Sequence, residues 1–457
     1  MTDSPPQALR RTLKPRHIQM IALGGAIGTG LFYGSAESIG LAGPSVLLTY
    51  LIGGAVIFLV VRALGEMSVD DPVSGAFSHY ANVNWSARAG FVSGWNYWFN
   101  YIAVSMVELS VVGSFVNYWL PDVPPWVSAT IFLVLITGVN LVGVRVFGET
   151  EFWLACVKVA AVIGMIVLGI VVVVLGINHS ADLPDPSFAH LWDQGGFFPL
   201  GAGGTLFALV VVMFSFGGTE LIGITAGEAE RPERTIPRAI NQVVLRVLIF
   251  YVGALAVIMA VVPWNQLDGS TSPFVQIFDR IGVPGAAHIL NLVMLTAVIS
   301  VYNSGLYANG RMLYALALQG NAPRYLRRVS RSGIPIFGVL TSSAVTALAV
   351  VVVFLWPEFA FQILMSVALI AAIINWSMIM ITQLKFRARI GPAGAAALTF
   401  RLPFARVTPW LVLAFFACLL VLMCFHPGYR TAVLVGPIWL AVLLVAFEVQ
   451  RRRRAAA

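Results

Sequence analysis

The chain has 457 residues, of which 59% are hydrophobic and only 11% charged, against about 25% charged in ordinary soluble domains. That composition excludes a water-soluble globule. The formal charge of +8 does not indicate nucleic acid, because the basic residues lie between apolar blocks and form no aromatic-rich surface pattern. Cys156, Cys418 and Cys424 all fall inside apolar blocks without paired or metal-ligand spacing, so neither a disulfide framework nor a metal site is expected.

Residues 1–16 are polar and carry four basic side chains. They contain no short apolar stretch ending in a small-residue cleavage site, and are read as a cytoplasmic tail. Twelve apolar blocks follow, at roughly 17–35, 44–65, 88–119, 125–145, 152–176, 202–226, 239–262, 287–318, 335–355, 360–384, 409–426 and 431–449. About twenty apolar residues cross a hydrocarbon core, and continuous rather than alternating blocks predict helices, not a barrel. The expectation is an all-α polytopic membrane protein with 12 transmembrane helices. Of the 28 Lys and Arg, 25 fall on the side that holds both termini. The excess of cationic loops predicts that both ends are cytoplasmic. Residues 450–457, with Arg451 to Arg454, read as a basic cytoplasmic tail that anchors the last helix.

Two of these blocks carry helix-breaking residues in their middles. The first holds Gly24, Gly25, Gly28 and Gly30, and the sixth holds Gly217 and Gly218 within Phe214–Glu220. Each glycine costs a helix about 0.8–1 kcal/mol relative to Ala. Gly24 and Gly28 also fit a close-packing GxxxG pair, and for either cluster alone that reading is sufficient. Two clusters about 190 residues apart, each opening a set of five spans, fit better with a carrier whose discontinuous helices form a midplane binding site. Unwinding frees backbone groups at membrane depth that must find partners, and a zwitterionic amino acid supplies them. Its carboxylate suits the N–H groups of Gly28, Thr29 and Gly30. Its ammonium suits carbonyls around Ala26, Phe214, Ser215 and Gly217.

The segments RHIQMIALGGAIGTGLF (16–32), AGPSVLLTYLIGG (42–54), RALGEM (62–67), GWNYW (94–98), VFGETEFWLACVKV (146–159), FSFGGTELIGITAGEAERPERTIPRAIN (214–241) and NSGLYANGRMLYALALQGNAP (303–323) resemble bacterial amino acid permeases. These belong to the amino acid, polyamine and organocation superfamily. The resemblance implies a five-plus-five inverted repeat with discontinuous helices 1 and 6, a core at 17–384 (first repeat 17–176, second repeat 202–384) and two additional helices at 409–449. It also implies uptake of an amino acid with protons across the plasma (inner) membrane, and an aromatic gate at Phe214. No cofactor is expected beyond the proton gradient as energy source. The expected partners are substrate, protons and the lipid bilayer, with no nucleic acid and no obligatory protein partner. GWNYW and INWSMI (374–379) look most like permeases for aromatic amino acids, whereas GTELIGI (218–224) is also similar to the lysine permease. A neutral, large or aromatic L-amino acid is favoured. Basic amino acids, proline, histidine and 4-aminobutyrate remain open, as does exchange in place of symport.

A lysine inside an apolar block costs about 2.5–3.5 kcal/mol on insertion scales, so Lys158 calls for a reason. Counted from residue 152 it lies near enough to a helix end to snorkel. The resemblance instead places it where sodium-coupled relatives hold sodium, as the proton-coupling residue that ties the first helix to the eighth. Glu108 and Glu220 are further membrane-depth acids. Glu220, beside the break, is the better candidate for substrate or proton contact, and Glu108 serves equally as a fastener between helices. Tyr101, with Tyr97 and Trp98, has the spacing of a pocket wall. Asn100, Ser105, Ser304, Asn303, Tyr307 and Asn375 are candidates for side-chain recognition or for helix–helix hydrogen bonds. Glu228 reads as gate chemistry near Arg231 and Arg234, and Glu66, Asp70 and Asp71 as parts of a solvated cytoplasmic turn. An enzyme is not expected, since H-E-x-x-H, G-x-S-x-G and G-x-x-x-x-G-K-[ST] are all missing. A channel would need selectivity rings for which two broken helices give no basis.

Overall fold

The structure is a computed structural model that describes residues 20, 27–73, 75–178, 184–225, 231–267, 272–281, 285–330 and 332–455. Among these residues there are helices and no strands, as expected where backbone groups must be satisfied within each crossing segment. In chain order the principal helices are α1 (Thr29–Phe32), α2 (Gly34–Ala42), α3 (Val46–Asp70), α4 (Ala76–Asn84), α5 (Ala87–Asn117), α6 (Pro125–Val142), α7 (Val144–Leu175) and α8 (Gly201–Phe214). Then come α9 (Leu221–Thr225), α10 (Pro232–Val261), α11 (Pro273–Ile281), α12 (Ala286–Leu318), α13 (Ile336–Leu355), α14 (Ala360–Ala397), α15 (Thr408–Phe425) and α16 (Pro427–Ala455). Ten helices among the described residues are long and apolar enough to cross a membrane.

Burial sorts these helices into a centre and a rim. α5 and α12 pack along each other, α14 packs on α5, and the three bury most of their apolar surface. α6, α7, α15 and α16 instead expose Val134, Leu135, Val174, Leu175, Trp410, Leu411, Leu434 and Val445. Side chains of this kind turned outward along whole helices mark a surface solvated by lipid. The chain is a multi-pass membrane protein.

Two local departures from regular helix shape the interior. Residues 247–253 of α10 form a π-helical stretch, a feature often found where a helix face is re-aimed near a functional site. Between α8 and α9, residues 215–220 leave the helix as a turn, with Gly218 at φ 98°. That left-handed conformation is why glycine stands there.

One acid departs from its expected place. Glu66 does not belong to a solvated turn: α3 runs on to Asp70, and the Glu66 side chain is completely buried. Its carboxylate accepts from Gln383 Nε2 at 2.9 Å, Arg387 Nε at 2.7 Å and the Leu402 amide at 2.6 Å. It thus ties α3 to α14 and to the segment leading into α15. The solvated-turn reading holds for Asp71, which is exposed and pairs with His79 at 2.8 Å. Removing one partner of a buried ion pair costs about 3–5 kcal/mol. Glu66→Ala is therefore expected to lower the thermal unfolding midpoint of the detergent-solubilised protein by several degrees. Glu448→Gln, which breaks only exposed pairs with Arg451 and Arg452, serves as the control that leaves the midpoint unchanged. Equal midpoints for wild type and Glu66→Ala would show that the buried pair does not hold these helices together.

Candidate functional site

Gly28 is extended (φ −139°, ψ −155°) and α1 begins immediately after it. The first helical hydrogen bonds run from the Leu31 and Phe32 amides to the Gly28 carbonyl, so the amides of Thr29 and Gly30 precede the helical ladder, as the first N–H groups of any helix do. Residues 24, 25 and 26, including the candidate Ala26, lie outside the described residues, as does Glu228.

Gly28 and Gly30 of the first cluster meet Gly217 of the second around one cavity. Gly28, Thr29 and Gly30 face Phe214, Ser215 and Gly217 around a small cavity of about 20 Å³, lined also by Val104, Glu108 and Val301. The approach is at backbone distance. A Cβ on Gly30 would stand 2.5 Å from Ser215 Cα, and one on Gly28 would stand 2.7 Å from Val301 Cγ2. Hydrogen bonds fix the far side: Tyr251 donates its hydroxyl proton to the Ser215 carbonyl at 3.0 Å, and the Tyr50 hydroxyl lies 3.4 Å from Ser215 Oγ. Of the candidates, Gly28, Thr29, Gly30, Glu108, Phe214, Ser215 and Gly217 line this one cavity.

Beside the seam is a buried cluster of ionisable side chains. The Thr29 hydroxyl donates to the Glu108 carboxylate. Lys158 is fully buried, and its Nζ donates to the Ile27 carbonyl at 3.2 Å. Glu108 and Glu151 both act on the Lys158 charge. Because α7 begins at Val144, Lys158 lies fifteen residues into its helix, too deep to snorkel, which corrects the expectation drawn from a start at 152. The helix had seemed shorter because its first two turns carry Arg145, Glu149 and Glu151 and so fail a hydropathy window.

Glu151 is the residue that sequence reasoning missed. It is fully buried, accepts from the Ser300 hydroxyl at 2.5 Å and is approached by Asn303 Nδ2 at 3.4 Å. Asn303 Oδ1 in turn accepts from Asn140 Nδ2 at 2.8 Å. Lys158 therefore connects to the α1 entry directly and to α12 through Glu151. The signal was available, since positions 151 and 158 are seven apart and share a helix face.

The remaining candidates sit elsewhere. Glu220 and Tyr101 are buried but do not line the cavity. Glu220 accepts from the Trp376 indole at 3.4 Å, and Tyr97 and Tyr101, with rings 4.8 Å apart, lie near it. Ser105 donates to the Tyr101 carbonyl of its own helix at 2.7 Å. Ser304 lies beside Glu151. Tyr307 stacks on Phe147 at 3.8 Å, with the Arg311 guanidinium 3.2 Å from its other face. Asn100 and Asn375 are buried on α5 and α14 without reaching the cavity.

The family model described as amino acid permease matches residues 17–457. The chain is 49% identical over 444 residues to the aromatic amino acid transport protein AroP of Escherichia coli O6:H1, covering 96% of each chain. It is 48% identical to the protein of the same name from Escherichia coli K12, covering 96% of this chain and 95% of the other. The uncharacterized amino acid permease YtnA of Bacillus subtilis strain 168 is 42% identical over 441 residues, covering 96% and 95%. These relatives are transporters rather than enzymes, and with a match of that extent the chain belongs to the amino acid permease family.

Proposed function

We propose that the protein imports a neutral, large or aromatic L-amino acid by proton symport and alternating access across the plasma (inner) membrane, with both termini cytoplasmic. The observation that carries this reading is the seam itself: the extended Gly28 and the start of α1 meet the non-helical 215–220 turn at backbone distance, beside a buried lysine bonded to the Ile27 carbonyl. The amides at Gly28–Gly30 would receive the substrate carboxylate, and the carbonyls of the 214–217 turn its ammonium. Phe214 would close over the side chain, and proton loss from Lys158 would release Ile27. The proposed frame is twelve helices in a five-plus-five inverted repeat plus two. The preference for aromatic substrates draws on the relatives at 48–49% identity, which are aromatic amino acid transport proteins.

The test is uptake of a panel of labelled amino acids into proteoliposomes under an imposed inward proton gradient, with and without an uncoupler. Accumulation of phenylalanine, tyrosine or tryptophan that collapses with the uncoupler is expected. Uptake that ignores the gradient and requires internal amino acid would replace symport by exchange. Accumulation of lysine, proline, histidine or 4-aminobutyrate alone would overturn the substrate class.

A further inference from the structure

A wide groove of about 850 Å³ runs along the flank of the bundle, away from the seam, between the amino end of α5 and helices α14, α15 and α16. Its walls are apolar, among them Val92, Ile373, Met378, Leu420 and Leu444, and Arg88 and Arg451 stand on its lining. Next to it is a second cavity of about 360 Å³ with polar walls, including Asn82, Gln319, Asn321, Gln450 and Arg454. The two share Ala87, Phe447 and Arg451. An apolar slot and a polar chamber therefore meet at one arginine.

Charge decides what fits there. Arg88 and Arg451 stand at this end of the groove and Arg454 on the adjoining chamber, with the Arg88 guanidinium 5.9 Å from the Phe447 ring. Glu448 offsets them in part, pairing with Arg451 at 2.7 Å and Arg452 at 3.3 Å, which leaves a net positive rim. The slot opens on the lipid-facing surface, where leaving it to water exposes apolar wall at a cost proportional to its area. The occupant must combine a hydrocarbon tail with a negatively charged, hydrogen-bonding head. A zwitterionic head would bring its own cation against the arginines. Basic pockets between transmembrane helices are suited to anionic lipid headgroups.

We propose that this pair of cavities is a binding site for an anionic glycerophospholipid, with an acyl chain in the slot, the phosphate between Arg88 and Arg451, and the rest of the head in the polar chamber. The site is independent of the transported substrate.

The test is native mass spectrometry of the full-length chain released from detergent after incubation with phosphatidylglycerol or, separately, phosphatidylcholine. Wild type is expected to retain phosphatidylglycerol in preference to phosphatidylcholine. Because each basic side chain near a membrane surface is worth about fivefold in binding an anionic lipid, Arg88→Gln and Arg451→Gln are each expected to weaken retention by about that factor, and the double variant by about 25-fold. Phosphatidylcholine retention should not change in these variants. Ser377→Trp, which fills the slot from α14, is expected to remove lipid of either kind. Equal retention of the two lipids by wild type, or undiminished phosphatidylglycerol on the double arginine variant, overturns the proposal. So does a dimer in the spectrum that Ser377→Trp dissociates, because the groove would then belong to a second copy of the chain. The arginines are exposed, so their variants fold and decide the matter even if the tryptophan variant does not.

Discussion

Lys158→Met is expected to bring proton-driven accumulation of substrate down to the level left by an uncoupler, a loss of at least tenfold, while counterflow of labelled for unlabelled substrate continues. Methionine keeps the length and much of the volume of lysine but carries no proton and donates no hydrogen bond. It therefore removes the bond from Nζ to the Ile27 carbonyl and the positive charge that faces Glu108 and Glu151. A charged hydrogen bond is worth about 1.5–3 kcal/mol, enough to shift the balance between states that hold and release the α1 entry. The two carboxylates left behind add a stability cost, because uncompensated buried charge is expensive. Pairing accumulation with counterflow separates the two effects: a misfolded variant loses both, and an uncoupled one loses only the first. Accumulation at the wild-type level with unchanged pH dependence would remove Lys158 from the coupling.

Gly30→Ala should close the seam to function almost as completely. The added methyl would lie 2.5 Å from Ser215 Cα and 2.8 Å from Ser215 Oγ, against backbone rather than the end of a flexible side chain. Ser215 cannot easily withdraw, since its carbonyl is held by Tyr251. Overpacking of this kind costs about 1–3 kcal/mol, or roughly 5- to 150-fold in the population of the state that brings α1 against the 214–217 turn. Initial uptake rates should fall accordingly. Gly34→Ala is the matched control: its Cβ would meet Val211 Cγ1 at 3.4 Å, an ordinary contact, and uptake should stay near wild type. If Gly30→Ala transported as well as Gly34→Ala, the close approach of α1 to the 214–217 turn would play no part in the transport cycle.

Hydropathy alone located most of the helices because a crossing segment must be apolar over nearly its whole length. The block at 88–119 is the helix Ala87–Asn117, and the block at 287–318 is Ala286–Leu318. The break after Phe214 was legible for a related reason, since glycine is conspicuous where a helix would otherwise be uninterrupted, while most of the first glycine cluster lies outside the described residues. Polar partners at membrane depth were not legible. Glu66 meets Arg387 from 321 positions away, and nothing local distinguishes a carboxylate in that position from one in a turn. Glu151 was hidden by the apolar window, which discounts the polar first turns of α7. Glu220 and Tyr101, read as substrate contact and pocket wall, are buried but absent from the cavity lining, a placement that depends on helix rotation, which spacing does not fix.

The seam between α1 and the 214–217 turn encloses only about 20 Å³, on the order of one water molecule. On the proposed reading an amino acid enters only after α1 and the 214–217 turn have parted, so every binding event includes the work of opening. A dissociation constant measured on this protein is then the intrinsic constant divided by the fraction of molecules already open. Substitutions that loosen the seam would tighten apparent affinity without touching the substrate. Ranking substrates by affinity alone would therefore mix two quantities, the fit of the side chain and the ease of parting the helices, and only the first differs from one amino acid to the next.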